Sequence, residues 1–575
     1  MKSYLWMVFS VASGLWCDIG LLSAEVKTPG IFGDHMVLQA GTKLPVWGTA
    51  GAGEKVTVTV GGETGSATAG ADGKWLVTLD PLKAGTTPLT MTIAGKNTLT
   101  YSDVLVGDVW ICSGQSNMEF GLSMEWDAKD QIAQANLPLV HIFLVPHKIS
   151  LTPVTDITST APRYLGGQWV ACTPENVLKV GGWGGFTAVG YFFGREIQTA
   201  TGQPVGLIET SWGGTPAQAW TSTEKLASDP VLKHYADQHD QAVANYAKAK
   251  ADEPAVQAKY TAEVEKWKAD NGVAANATMA DLANANAKAK AAGKPMMPRP
   301  PVTADGGQNF PSNLFDGMLA PLIPYGIKGA IWYQGEANGG SLPGAMEYRT
   351  LFPAMITDWR ARWGEGDFPF FFVQLAKYKN PNPGYAVLRE SQAKTLSLPN
   401  TGMAVAFDIG DQNNIHPQDK LDVGKRLALA AEHVAYGKDV VYSGPVYDKL
   451  TVEGGAARVS FTQVGGGLVI GSAPWVSAKA QPIPATSLVG FTIAGEDKTF
   501  YPADAKLDGN NVVVSSAQVA TPVAVRYAFI DAEGNLYNKE GLPAPPFRSD
   551  DWEIAQPISQ KPAAPPATAP APAAK

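Results

Sequence analysis

Ser116 stands just beyond a short apolar run, Val109-Trp110-Ile111-Cys112, which passes through Ser113-Gly114-Gln115 into a helical pattern. A serine at the carboxyl end of a buried strand lies where an open α/β sheet displays its reactive groups. The same local sequence suits a helix N-cap equally well, since serine is a favoured capping residue. What separates the two readings is a base. A serine hydroxyl is a weak nucleophile until an imidazole takes its proton, and the imidazole must itself be oriented. Of seven histidines, His35 falls in an alternating β pattern, His234 and His239 in an Ala/Lys-rich stretch, and His433 within a helix. His141 and His147 flank the end of an internal strand. That leaves His416, on a strand-end loop with acidic company, Asp408-Ile409-Gly410-Asp411-Gln412-Asn413-Asn414-Ile415-His416.

Two more strand ends carry turn chemistry. Val205-Gly206-Leu207-Ile208 leads to Ser211-Trp212-Gly213-Gly214-Thr215-Pro216, where a glycine pair can present backbone N–H groups to an anion. Gly329-Ala330-Ile331-Trp332-Tyr333 leads to Gln334-Gly335-Glu336-Ala337-Asn338. The loops holding Ser116, Gly213/Gly214, Gln334 to Asn338 and Asp411 to His416 each follow an apolar run, so one carboxyl edge of a sheet could hold all four.

The scaffold that would position them reads as several domains, because 575 residues exceed what one core supports. Residues 25–103 alternate with period two, as in Val56-Thr57-Val58-Thr59-Val60 and Trp75-Leu76-Val77-Thr78-Leu79, which predicts a small β-sandwich. An α/β pattern occupies 104–223 and resumes over 305–438. Between them, 224–304 is rich in Ala and Lys with helical spacing, an insertion that is either a solvated appendage or a rim for the site. The β alternation returns over 439–556, and 557–575 is an Ala/Pro tail unable to bury a core.

Composition excludes several function classes. A net charge of −8 without a basic stripe argues against a nucleic-acid partner. Lys2, an apolar run and Leu22-Ser23-Ala24 read as a secretory signal over 1–24, predicting a secreted or periplasmic protein with no membrane span after cleavage. Cys112 and Cys172 then remain and read as buried free thiols, although one disulfide is permitted. No Cys/His cluster has ligand spacing, so neither a metal nor a cofactor is expected. Sixteen tryptophans are more than packing requires, and Trp183, Trp212, Trp220 and Trp332 lie near the motif loops, where stacking on sugar competes with core filling.

Four strings in order, G-Q-S-N-M, S-W-G-G-T-P, W-Y-Q-G-E-A-N and the acidic loop ending I-H-P, resemble the sialate O-acetylesterase family of SGNH-type hydrolases. H-M-V-L-Q, N-L-F-D-G-M-L-A-P-L and G-L-P-A-P-P-F-R extend the resemblance over most of residues 30 to 552, the insertion excepted. It implies a flavodoxin-like α/β/α hydrolase domain that removes O-acetyl groups from carbohydrates. Ser116 matches the nucleophile and His416 the base. The Ser116, Gly213 and Gly214 amides with the Gln334 side chain match the oxyanion hole. Met118 in place of glycine disfavours the G-x-S-x-G elbow of ordinary α/β-hydrolases. Asn413 holds the position, three before the histidine, where many SGNH enzymes carry the orienting acid. Asp411 is the nearest acid and Asp408 the next; a backbone carbonyl is the third option. Asn117 and Asn338 read as loop-bracing amides, Glu336 as an electrostatic group or a brace of its own turn, and Asp419 and Lys420 as the start of the last helix. The expected activity is acetyl-ester hydrolysis on sialic acids, or with the same chemistry on xylan- or xyloglucan-type polysaccharides. An inert hydrolase domain in a carbohydrate-binding protein is the alternative from another class, and the oligomeric state is left open.

Overall fold

The computed structural model describes residues 25–157, 166–379, 382–472, 483–530 and 533–554. The expected signal and the Ala/Pro tail lie outside the described residues. Seven strands build the central sheet: β1 (Thr98–Gly114), β2 (Leu137–Leu144), β3 (Trp169–Cys172), β4 (Val205–Ser211), β5 (Gly329–Tyr333), β6 (Phe370–Gln374) and β7 (Thr401–Val405). Their order is β7-β6-β5-β1-β4-β2-β3. All pairings are parallel except that of β3 with β2. Strands β4, β5 and β6 are buried throughout, which explains their unbroken apolar runs: a parallel sheet covered on both faces has no solvent side to alternate with.

The register fixes the site. Gly114 pairs with Ser211 on one side and with Tyr333 on the other, so three of the four loops leave the sheet at the same level. Gly114 has φ +143°, and a Cβ there would stand 2.2 Å from the Tyr333 carbonyl oxygen. Glycine is obligatory at that corner.

Strand β1 does two jobs. Its first half alternates in burial and pairs antiparallel with the strand Gly85–Ala94, whereas Val104 to Gly114 are buried without interruption. Asp103, with φ +53°, marks the change. The division expected between 103 and 104 therefore falls inside one continuous strand. Other expected strands are found at Lys55–Val60 and Lys74–Leu79. Antiparallel strands recur from Val446 onward.

Six helices support the site edge of this sheet or form the insertion: α1 (Ala188–Thr201), α2 (Lys233–Asp270), α3 (Met279–Ala291), α4 (Leu342–Trp363), α5 (Gly384–Lys394) and α6 (Lys420–Val434). α1 packs on α6, where Gly424 lets the backbones close: a Cβ there would meet Phe192 Cβ at 2.5 Å. α4 packs on α5. The insertion is α2 and α3. Ala236 and His239 are buried at its root, and Tyr235 Oη donates to Glu347 on α4 at 2.8 Å. Cys112 and Cys172 are buried and free. Among the described residues no helix is long and apolar enough to cross a membrane.

Candidate active site

Beyond Gly114 the chain turns through Gln115, whose N–H donates to the Tyr333 carbonyl at 3.0 Å. Its side-chain Oε1 accepts from Ala337 N at 3.2 Å and Gly335 N at 3.4 Å, tying the serine loop to the loop after β5. Ser116 opens a one-turn helix, Ser116–Glu119, whose N-cap is Gln115. The capping role therefore does not fall to Ser116. Its Oγ lies 2.9 Å from His416 Nε2, a contact that spans 300 residues of chain. As the first helical residue, Ser116 also has an N–H with no acceptor inside the helix.

The imidazole is placed by its backbone. Asn414 Oδ1 accepts from His416 N at 3.0 Å, and Asn117 Nδ2 donates to the Ile415 carbonyl at 3.0 Å. Neither expected acid reaches the ring. Asp411 Oδ1 accepts from Asn413 N at 2.8 Å and so shapes its own turn. Asp408 is held by both Arg426 guanidinium nitrogens at 2.7 and 2.9 Å, a bidentate pairing that leaves it committed. Among the described residues, no carboxylate forms a hydrogen bond or ion pair with His416. Asn413, like Asn414, is exposed. Burial, and after it the charge of Lys420, hold the His416 imidazole below its usual 6.5.

Lys420 is the residue that sequence reasoning missed. Far from only starting a helix, its side chain is wholly buried and its Nζ donates to Asn117 Oδ1 at 2.6 Å. The rings of Phe120 and Tyr333 flank it at 4.8 and 5.1 Å. Asn117 Nδ2 also donates to Glu336 Oε1 at 2.5 Å, so one amide joins a lysine, a glutamate and the histidine loop. Glu125 Oε2 accepts from Lys420 N at 3.0 Å. Burial pulls Lys420 down to about 7 and pushes Glu125 up to about 8. Glu336 is raised too, again by burial, and its Oε2 is buried with no partner among the described residues. A lysine in the first turn of a helix opposes the macrodipole, and that mismatch was the available signal.

The remaining loops divide between anion binding and bracing. Gly213 lies against Ser116, since a Cβ there would stand 3.3 Å from Ser116 Cβ. Its N–H donates to Glu119 Oε2 at 2.6 Å. Gly214, with φ +75°, has open space at its Cα. Gln334 departs from the expectation of an oxyanion donor. It is fully buried, with Nε2 given to Asn338 Oδ1 at 2.8 Å and the Thr215 carbonyl at 3.2 Å, while Oε1 accepts from Tyr348 Oη at 3.0 Å. With both ends of its amide occupied, Gln334 braces the loop. Asn338 does likewise, accepting from Ala217 N at 3.0 Å and donating to Gln218 Oε1 at 3.0 Å. Beneath them Glu209, wholly buried and pushed up to about 8, accepts from Thr187 N at 3.0 Å and Ser211 Oγ at 2.9 Å.

The four tryptophans separate cleanly. Trp220 and Trp332 are core. Trp212 stacks on His147 at 4.1 Å. Trp183 is exposed and meets His416 edge to face at 4.9 Å.

Residues 312–433 match the family described as carbohydrate esterase, sialic acid-specific acetylesterase. Sialate O-acetylesterase of Rattus norvegicus is 32% identical over 453 residues, covering 72% of this chain and 75% of that protein. The Homo sapiens protein of the same name is 31% identical over 472 residues, 76% of each chain. Among solved structures, XAC1771, a carbohydrate acetylesterase from Xanthomonas citri, superposes with a TM-score of 0.71 at 35% identity. That match covers 92% of this chain and all of the other. With its serine and histidine loops drawn together on one sheet edge, this chain belongs to the sialate O-acetylesterase family and is a carboxylic ester hydrolase.

Proposed function

We propose that this protein removes O-acetyl groups from carbohydrates, with Ser116 as nucleophile and His416 as general base. The observation that carries the reading is the 2.9 Å contact between Ser116 Oγ and His416 Nε2 at the carboxyl edge of a parallel sheet. His416 takes the hydroxyl proton as Oγ attacks the acetyl carbonyl. The tetrahedral oxyanion is met by the Ser116 N–H and the Gly214 N–H, while the neighbouring Gly213 N–H is spent on Glu119. Each preorganised donor of this kind is worth roughly 10²–10³ in rate. The C–O bond to the sugar then breaks, and His416 passes its proton to the departing sugar oxygen. Water, deprotonated by the same imidazole, attacks the acetyl-serine and releases acetate.

The site works as a dyad set by backbone and amide contacts. Asn117 and Asn414 supply the orientation that an acid would otherwise give. The parallel sheet supports an SGNH-type, flavodoxin-like α/β/α catalytic domain made from 104–223 and 305–438 and interrupted by the 224–304 insertion. On this reading β-sandwich-like domains at 25–103 and 439–556 flank it, the first sharing β1 with the catalytic sheet. The signal-like N-terminus supports export to the periplasm or outside the cell.

Acetylated sialic acid is the substrate that the names of the relatives suggest, and acetylated plant polysaccharide, open to the same chemistry, is the second reading. The test is acetate release by the wild type and Ser116→Ala from an aryl acetate, O-acetylated sialic acid and acetylated xylo-oligosaccharides. Release that requires Ser116 is expected, and the preferred sugar names the substrate. Folded protein inactive on all three, or an alanine variant with wild-type turnover, would sink the proposal.

A further inference from the structure

Trp183 is out of keeping with its surroundings. It is 37% exposed, yet it does not hang on a loose loop. It sits in Gly181-Gly182-Trp183-Gly184-Gly185, and that segment is tightly held. Gly121 N donates to the Trp183 carbonyl at 2.9 Å, and Ser123 N to the Gly184 carbonyl at 3.0 Å. Gly181 and Gly185 have φ of +116° and +96°, and a Cβ on either would come within 2.1 and 2.3 Å of backbone oxygen. The glycines are there to fold the loop close, and the folded loop pushes one indole outward. Its ring meets Phe120 at 5.6 Å and His416 at 4.9 Å, both near 78°. The rest of the indole faces solvent beside the imidazole.

On the other side of Ser116 stands a half-used carboxyl group. Glu119 Oε2 is taken by Gly213 N–H at 2.6 Å, but Oε1 has no hydrogen-bond partner among the described residues. His147 Nε2 is 3.7 Å away, beyond hydrogen-bond range, and gives its bond to the Ser211 carbonyl at 2.9 Å. Oε1 lies 3.6 Å from where a Cβ of Gly182 would be, next to the tryptophan loop. The Glu119 side chain keeps 13% of its surface open.

The mechanism says where the sugar must be. To protonate the leaving oxygen, His416 Nε2 has to stand within hydrogen-bond reach of it, so the ring bearing that oxygen lies off the Nε2 edge of the imidazole. Trp183 borders that place. We propose that the Trp183 indole is the stacking platform for the acetylated sugar ring and that Glu119 Oε1 accepts a hydrogen bond from one of its hydroxyls. This rests on the esterase reading above. An indole face offers apolar area for the C–H face of a pyranose, with few side-chain rotors to order, and the carboxyl oxygen supplies direction. Aryl acetates have an acyl group for Ser116 but no hydroxyl for Glu119. Trp183 and Glu119 are therefore binding residues that set the preference for sugars over simple esters.

The experiment compares kcat/KM on an acetylated xylo-oligosaccharide, on O-acetylated sialic acid and on an aryl acetate, for the wild type, W183A, W183F and E119Q. The readout is the sugar-to-aryl ratio, using whichever sugar the wild type prefers. W183A is expected to lower that ratio at least tenfold, mostly through KM. W183F, which keeps a smaller ring, should lower it less. E119Q leaves a carbonyl for Gly213 N–H but turns the free acceptor into a donor, and should lower the ratio about fivefold. If W183A loses both activities together, as a collapsed loop would, the ratio for W183F decides. A ratio within twofold of wild type in the deciding tryptophan variant and in E119Q overturns the platform alone. No Ser116-dependent release from either sugar by the wild type overturns the esterase reading, and the platform with it.

Discussion

Replacing Lys420 by methionine isolates what sets the base in this site. The working form of His416 is the neutral imidazole, so kcat/KM must fall as the pH drops through its folded-state pKa. Two causes place that pKa below 6.5, burial first and the Lys420 ammonium second. Methionine has nearly the length of lysine and can keep the contacts with Phe120 and Tyr333, so burial stays while the charge goes. A neighbouring positive charge disfavours the protonated imidazole, so removing it raises the pKa while burial continues to hold it down. In the acid range Lys420, which titrates at about 7, is fully charged, so its effect is at full strength where the limb is read. Losing it should move the acid limb upward, toward the position that burial alone sets. Below both limbs the variant would then be slower than wild type by the factor the limb has moved, roughly tenfold for each pH unit. At pH 8 the difference should nearly vanish. Lys420→Gln, which drops the charge but retains a donor for Asn117, should show the same displacement. The assay is aryl-acetate kcat/KM from pH 4.5 to 9. A limb that stays put or moves downward in both variants would refute the electrostatic role.

Three further outcomes are expected from the geometry. Asp411→Asn should cost less than about threefold in kcat, whereas His416→Ala should cost about 10³ or more; equal losses in steady-state assays would make Asp411 a partner of the base after all. Glu209 has a folded-state pKa of about 8 against an ordinary 4.5, so the stability it contributes is complete at low pH and is lost as pH rises from about 4.5 through 8. Glu209→Gln cannot titrate, and its unfolding free energy from urea melts should gain on wild type between pH 5 and 9 by an order of a few kcal/mol, with a pH-independent difference counting against the argument. Gly114→Ala must part β1 from β5 at the Tyr333 carbonyl and adopt φ +143°; it should lose more than about 3 kcal/mol in urea unfolding, and a smaller loss would show that the corner can yield.

What could be read beforehand was local. An apolar run closing on a glycine turn announces a strand end wherever it occurs, and so the loops of Ser116, Gly213, Gln334 and His416 were legible one by one. The level at which they meet is a matter of register, Gly114 opposite both Ser211 and Tyr333, which depends on pairing across hundreds of residues. The boundary at 103 shows the same dependence: β1 runs through it unbroken, passing from alternating to continuous burial at Asp103. Gln334 illustrates the limit for side chains. The family resemblance implies an oxyanion donor there, and only the placement of Asn338, Thr215 and Tyr348 shows its amide to be occupied.

The missing acid has a physical explanation of the same kind. Nearness in sequence made Asp411 and Asp408 candidates, but Arg426 arrives from α6 to take Asp408, and Asp411 turns back onto its own loop. Meanwhile the surroundings of Ser116 and His416 already hold Glu119, Glu125, Glu209 and Glu336, each with its pKa raised chiefly by burial. One more ionised carboxylate at His416 would add repulsion to groups that already resist ionisation. It would also raise the imidazole pKa, whereas Lys420 and burial lower it. The consequence is a weaker base that is nonetheless neutral, and therefore available, at lower pH. Orientation then has to come from uncharged groups, and Asn117 and Asn414 supply it by fixing the backbone on either side of the Ile415–His416 peptide. Asn117 thus serves both ends of the arrangement: it holds the histidine loop in place and it satisfies the lysine whose charge adds to burial in lowering the pKa of the histidine.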